Sequence, residues 1–363
     1  MYHHESLTEY HLLKTNTPEF FQSIFRDTYQ DGYGKFFSTD NSWWNDLKGT
    51  FFVKALALFN LFSFGNYYVN VIFYSFITLF GGVAVFKVMQ DKFPEKRLVV
   101  ILTTFLIPSV IYWTSGLHKD GLIFLGLSLV VYHIYFALKE NQLPVYRIIA
   151  IFVGLITILA LRNFLIITVV PAVTAWVLAH KSKFRPSLVF AVLYSVFAII
   201  FFTARYIHPR LDFPDAVVVK QGEFLQLKGG STVPVTRLEP TVGSFVSNMP
   251  EALSLTVLRP YPSDVRHLLS LAAAVETCVF LLFFLIFLFV RKNGVQLSPF
   301  MLFCVFLAFS ILLMIGYSVN VLGAIVRYRS IILPFLIVPM MAKIDWDRVI
   351  GLLADNINNK NNV

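Results

Sequence analysis

The chain has 363 residues, 57% of them hydrophobic and only 14% charged, with a mean hydropathy of +0.69 and a net charge of +9. Soluble domains carry about a quarter charged residues, so this composition excludes a soluble enzyme and predicts an all-α integral membrane protein, a polytopic helical bundle. The 38 Phe, 16 Tyr and 5 Trp suit lipid-facing surface and interfacial belts, and the modest positive charge gives no reason to invoke nucleic acid.

Residues 1–50 read as a polar, aromatic-rich external segment ending in Asn41-Ser42-Trp43-Trp44-Asn45, with no apolar core of a signal peptide. Residues 51–64 are apolar but interrupted by Lys54 and Asn60, and are too short to span comfortably. They predict an interfacial or re-entrant helix. Nine spans are expected, at 67–89, 98–115, 121–138, 147–161, 164–180, 187–205, 268–290, 297–317 and 322–342. Each is expected to be helical, because backbone groups in lipid must pair within their own segment.

Lys92, Lys96 and Arg97, the Lys139 to Arg147 loop, Lys181, Lys183 and Arg185, Arg291 and Lys292, and Lys343 and Arg348 fall on one side when these spans are threaded. The positive-inside rule makes that side cytoplasmic and the N-terminus external. The chain then divides into the external segment 1–50, a first bundle part 51–205, an external loop 206–266, a second bundle part 267–343 and a cytoplasmic tail 344–363. A polar segment placed outside without a leader predicts a further span ahead of residue 1. The loop 206–266 has turn signals at Gly229-Gly230 and short strand-like runs at Ala216 to Val219 and Val233 to Thr236. The two cysteines, Cys278 and Cys304, lie inside spans and offer neither a disulfide framework nor a metal spacing. There is no internal repeat of the kind that builds two-halved transporters.

The polar clusters all fall on the external side in this threading. His118-Lys119-Asp120 sits in a tight turn, where Lys119 would meet a phosphate and Asp120 would orient it, accept a proton or cap a helix. Arg162-Asn163 interrupts an apolar region, where an arginine is costly unless it reaches water or a partner. Arg327-Tyr328-Arg329 places two guanidiniums on different helix faces, and guanidinium forks suit phosphate oxygens. Glu276 lies two turns inside a span and calls for a cationic partner among the external arginines. Arg259-Pro260-Tyr261 offers an aromatic face beside a cation. Glu5, Glu9 and Asp27 supply carboxylates near the start. No Gly-rich phosphate loop, metalloprotease motif or serine-nucleophile elbow is present.

Three stretches resemble the C-type superfamily of bacterial polytopic glycosyltransferases and the related polysaccharide polymerases. These are Pro108 through Asp120, Leu161-Arg162-Asn163-Phe164 with Pro171, and Gly323 through Arg329 with Pro334. Glu5-Ser6-Leu7-Thr8-Glu9-Tyr10-His11 resembles the family's Asp-Ser-x-x-Tyr-His pattern, with Glu5 where the family has Asp. The resemblance implies a multi-pass protein of the bacterial inner membrane that takes a polyprenyl-phosphate-linked sugar, with Glu5 as catalytic base. Asp120 and Asp27 are the other candidate bases. His118, Lys119, Arg162, Asn163, Arg259, Tyr261, Glu276, Arg327, Tyr328 and Arg329 are the candidate substrate-binding residues. No cofactor is expected; a divalent metal is compatible but not indicated. The expected partners are the lipid-linked sugar, membrane lipid and other polysaccharide-assembly proteins. The alternatives are a transporter or flippase of lipid-linked sugars, which needs cations along a path through the bundle, and a non-catalytic component of an export machine, in which the arginines need not converge.

Overall fold

The computed structural model describes residues 2–25, 43–227, 229–291 and 298–352. Among them regular structure is helical, with only isolated bridges at Thr232–Val321 and Arg291–Ile344. The N-terminal part forms α1 (Tyr2–Thr15), α2 (Thr17–Gln22) and α3 (Trp43–Ser63). The interfacial helix expected at 51–64 is therefore the second half of a longer helix, and α1 lies along it. Two buried polar knots join the pair. Lys54 reaches Glu9 at 2.7 Å, the Phe20 carbonyl and Ser23. Asn60 donates to Ser6 while accepting from Asn70 at 2.6 Å. These groups interrupt the apolar run because they tie the N-terminal helices down.

Next come α4 (Tyr67–Lys92), α5 (Arg97–Phe105), α6 (Pro108–Ser115), α7 (Lys119–Glu140), α8 (Val145–Arg162), α9 (Ile166–Lys181) and α10 (Pro186–Ile207). Asn66 caps α4 by accepting from the backbone of Tyr68 and Val69. The expected span 98–115 is broken: α5 and α6 meet at a 54° bend just before Pro108, whose missing N–H ends the first helix and starts the second. α7 and α8 form a close hairpin in which Gly126 and Gly154 touch, since a Cβ at Gly154 would lie 2.6 Å from the Gly126 carbonyl oxygen. Arg162 leaves helical geometry (φ −156°, ψ 75°) ahead of a short 3-10 turn at Asn163–Leu165. The Tyr135 and Trp176 rings lie 6.5 Å apart, so the far end of α9 returns beside the far end of α7. The chain thus reverses at Arg162-Asn163.

The segment expected as a strand-bearing loop instead holds α11 (Phe213–Gln226) and α12 (Val242–Val257). Ala216 to Val219 are helical because Asp212 caps α11 by accepting from the Asp215 N–H, with Pro214 in the first turn. Val233 to Thr236 carry no strand partner beyond the neighbouring bridge. The remaining helices are α13 (Leu268–Phe289), α14 (Pro299–Ser318), α15 (Leu322–Ser330) and α16 (Leu333–Ala342), the last two meeting at a 64° bend.

Among the described residues six helical stretches are long and apolar enough to cross a membrane, counting 145–181 as one, and eight if each bent pair is a span. Phe300 to Ser318 of α14 runs through the centre, with Trp176 stacked on Phe303 at 4.6 Å. Gly316 lets α12 press onto it, since a Cβ there would sit 2.2 Å from the Ala252 carbonyl oxygen. α10 and α13 are peripheral and turn many apolar side chains outward, among them Ile199, Leu271 and Leu282.

Candidate anion site

The first turn of α7 is pinned from α4. Tyr74 donates to the His118 carbonyl and accepts from the Leu122 N–H. Gly121 permits this approach, because a Cβ would fall 2.6 Å from the Thr114 carbonyl oxygen and 2.8 Å from the Tyr74 hydroxyl. The adjoining Asp120 side chain is fully buried. Both of its oxygens are taken: Oδ1 by Arg162 Nη2 at 2.7 Å, Oδ2 by Arg327 Nε. One carboxylate thereby draws together the end of α8, the start of α7 and the middle of α15.

A cavity of about 190 Å³ opens beside this clamp, walled in part by Lys119, Arg162, Arg327 and, from α11, Lys220. Aromatic faces set the cations in place. Tyr328 lies 3.8 Å under the Arg162 guanidinium, Trp113 lies 5.4 Å under that of Arg327, and Lys119 Nζ stands 5.1 Å over Tyr2. Lys220 is matched by Glu223 at 2.7 Å. Arg162 and Arg327 share one carboxylate, and Lys119 is only within electrostatic range of Asp120 and Glu5, so the cavity wall keeps an excess of positive charge. Arg162 Nη1 is buried with no hydrogen-bond partner among the described residues. A buried charged donor left unsatisfied is costly unless a ligand or water meets it.

No family model, curated protein or solved structure matches the chain.

The residues singled out from sequence separate into groups. Lys119, Arg162, Asn163, Arg327 and Tyr328 line the cavity together. His118 stands behind it against Trp113, ring centroids 5.3 Å apart, and burial, followed by the nearby Arg327 charge, pulls its pKa below 6.5. Asp120 is an anchor for two arginines, not a free proton acceptor. Glu5 is exposed on α1 and does not line the cavity, although α1 brings Tyr2 into it. Asp27 lies outside the described residues.

Arg259, Tyr261, Glu276 and Arg329 stand elsewhere. Arg259 faces Asp264 at 3.5 Å and Tyr261 at 5.1 Å. Arg329, 3% exposed, donates to the Thr256 and Arg259 carbonyls and to Thr277, and so ties down the C-terminal end of α12. Glu276 was expected to pair with an external arginine. Its Oε1 instead accepts the Ser109 N–H at 2.9 Å, at the start of α6. No group of three or more His, Cys, Asp or Glu placed to hold a metal occurs among the described residues. Lys220 was missed by sequence reasoning, since it is one lysine in an unpatterned loop. Its only local signal is the helical i, i+3 pairing with Glu223.

Proposed function

We propose that the protein is a membrane glycosyltransferase or polymerase that uses polyprenyl-(di)phosphate-linked sugars on the external face of the bacterial inner membrane to build an envelope polysaccharide. The observation that carries this reading is the convergence of Lys119, Arg162 and Arg327 on one cavity, with a buried Arg162 Nη1 that has no hydrogen-bond partner among the described residues. A phosphate supplies several acceptor oxygens and negative charge, which is what this wall lacks. In this account the two arms reversing at Arg162-Asn163 are separate crossings. With the two bent pairs they make nine, and the cationic cavity lies at the non-cytoplasmic end.

In the reaction an acceptor hydroxyl oxygen attacks the anomeric carbon and the bond from that carbon to the phosphate oxygen breaks. The bonding electron pair stays on the departing phosphate, where Arg162, Arg327 and Lys119 stabilise it. The hydroxyl proton passes to solvent or to that phosphate. Asp120 holds the two arginines and takes no proton, so the site works through its cations without a dedicated base. Clustering of the cations around one cavity favours this reading over transport, which calls for cations spread along a path.

The test is surface polysaccharide production by cells carrying Arg162→Ala or Arg327→Ala, with protein level and membrane insertion checked. Loss of product by well-inserted variants is expected. Full product from both would end the reading.

A further inference from the structure

A second cavity, of about 340 Å³, lies between α6, α13 and α15, on the other side of Trp113 and Arg327 from the first. Its wall is mostly apolar, with Tyr112, Trp113, Leu269, Ala273, Leu322 and Val326 among its residues. That volume and lining are typical of small-molecule sites, which carry a few placed polar groups in an apolar wall.

Two such groups are buried here, while the other polar lining residues, among them Asp264, Arg266 and His267, are partly buried or exposed. Glu276 is 6% exposed and Ser109 8% exposed, and both line the cavity. They are already joined, because the Ser109 N–H donates to Glu276 Oε1. Yet Glu276 Oε2 and Ser109 Oγ are both buried with no hydrogen-bond partner among the described residues. Capping of α6 explains Oε1 and leaves Oε2 unexplained. Arg329 lies within electrostatic range of Glu276, but its described hydrogen bonds go to Thr256, Arg259 and Thr277.

A carboxylate oxygen only accepts, whereas a serine hydroxyl both donates and accepts. A guest satisfying the pair therefore donates to Glu276 Oε2 and either donates to or accepts from the Ser109 hydroxyl. A fully ionised phosphate or carboxylate is repelled by Glu276 and cannot donate to it. An ammonium could donate to both atoms, but Arg329 already stands within electrostatic range of Glu276 and disfavours a second cation there. A hydroxyl fits both atoms, and the apolar wall fits a hydrocarbon body. Beside the cavity the start of α13 carries exposed Leu268, Leu269 and Leu271, an apolar surface suited to contact with lipid. We infer that this cavity is a binding site for an uncharged, hydroxyl-bearing amphiphile drawn from the membrane, with Glu276 and Ser109 holding the hydroxyl.

The test uses the full chain in proteoliposomes and a long-chain alcohol carrying a photoreactive diazirine, with labelled peptides mapped by mass spectrometry. Saturable labelling of the α6, α13 and α15 peptides is expected, competed by the plain alcohol and not by the matching carboxylate or amine. Glu276→Gln raises the half-saturating concentration about tenfold or more, the loss of one hydrogen bond to a charged group. Ala273→Phe fills the cavity without touching a charge and abolishes the labelling. Arg162→Ala leaves it unchanged, which separates this site from the anion cavity. Labelling that does not saturate, or that survives both Glu276→Gln and Ala273→Phe, overturns the inference and leaves water as the only guest of Glu276 and Ser109.

Discussion

Replacing Asp120 by Asn tests whether the clamp is structural. The side chain is 0% exposed, Arg162 beside it is 8% exposed, and Arg327 on its other oxygen is 24% exposed. Asn keeps the volume and can still accept from one arginine, but removes the only carboxylate the two guanidiniums share. Breaking one side of a buried ion pair costs about 3–5 kcal/mol, because the remaining charge stays desolvated. The partly exposed Arg327 side contributes less than the Arg162 side, because solvent screens it. Asp120→Asn is therefore expected to lower unfolding stability by about 3–5 kcal/mol in mixed-micelle denaturation. Arg162→Met in the same chain should recover part of the loss, with a coupling of about 1–3 kcal/mol in a double-mutant cycle. If Asp120→Asn stays within about 1 kcal/mol of the parent, the value of an exposed pair, while product formation is lost, Asp120 is a proton acceptor and the clamp argument fails.

The neighbouring arginines should separate by phenotype. Arg329→Ala strands the Thr256 and Arg259 carbonyls and is expected to cost on the order of 3 kcal/mol or more in stability, read as protein level and unfolding midpoint. Arg327→Ala should leave protein level near normal. Gly316→Ala drives a methyl into the Ala252 carbonyl and should destabilise by about 1–3 kcal/mol. A neutral effect would show that α12 and α14 sit further apart. Because the folded pKa of His118 lies below its ordinary 6.5, the unfolded chain takes up the proton first. Stability should be full above about pH 6.5 and fall as pH drops through it. His118→Asn should flatten that slope, and an unchanged slope would assign it to another group.

The membrane class was legible from composition alone, since so few charges cannot cover a soluble surface. The split between Arg327 and Arg329 was legible from helical phase: one faces the cavity and the other braces α12. Pro108 and Pro334 marked breaks that a hydropathy window smooths into continuous spans. The helical character of Ala216 to Val219 was hidden because its β-branched run outweighs one capping aspartate in any local pattern. The occupation of Asp120 was not legible, since its partners stand 42 and 207 residues away. Lys220 and the bare Oε2 of Glu276 are likewise products of tertiary packing, where only a neighbour's position decides whether a polar atom is satisfied.

The most direct test is equilibrium binding of polyprenyl phosphate to the protein in nanodiscs, comparing the parent with Arg162→Ala and with unphosphorylated polyprenol as control. Arg162→Ala should weaken phosphate-lipid binding by at least about tenfold, the value of one charge-assisted hydrogen bond, and leave polyprenol binding unchanged. Equal affinity of the parent and the variant for polyprenyl phosphate would contradict the assignment of this cavity to an anion.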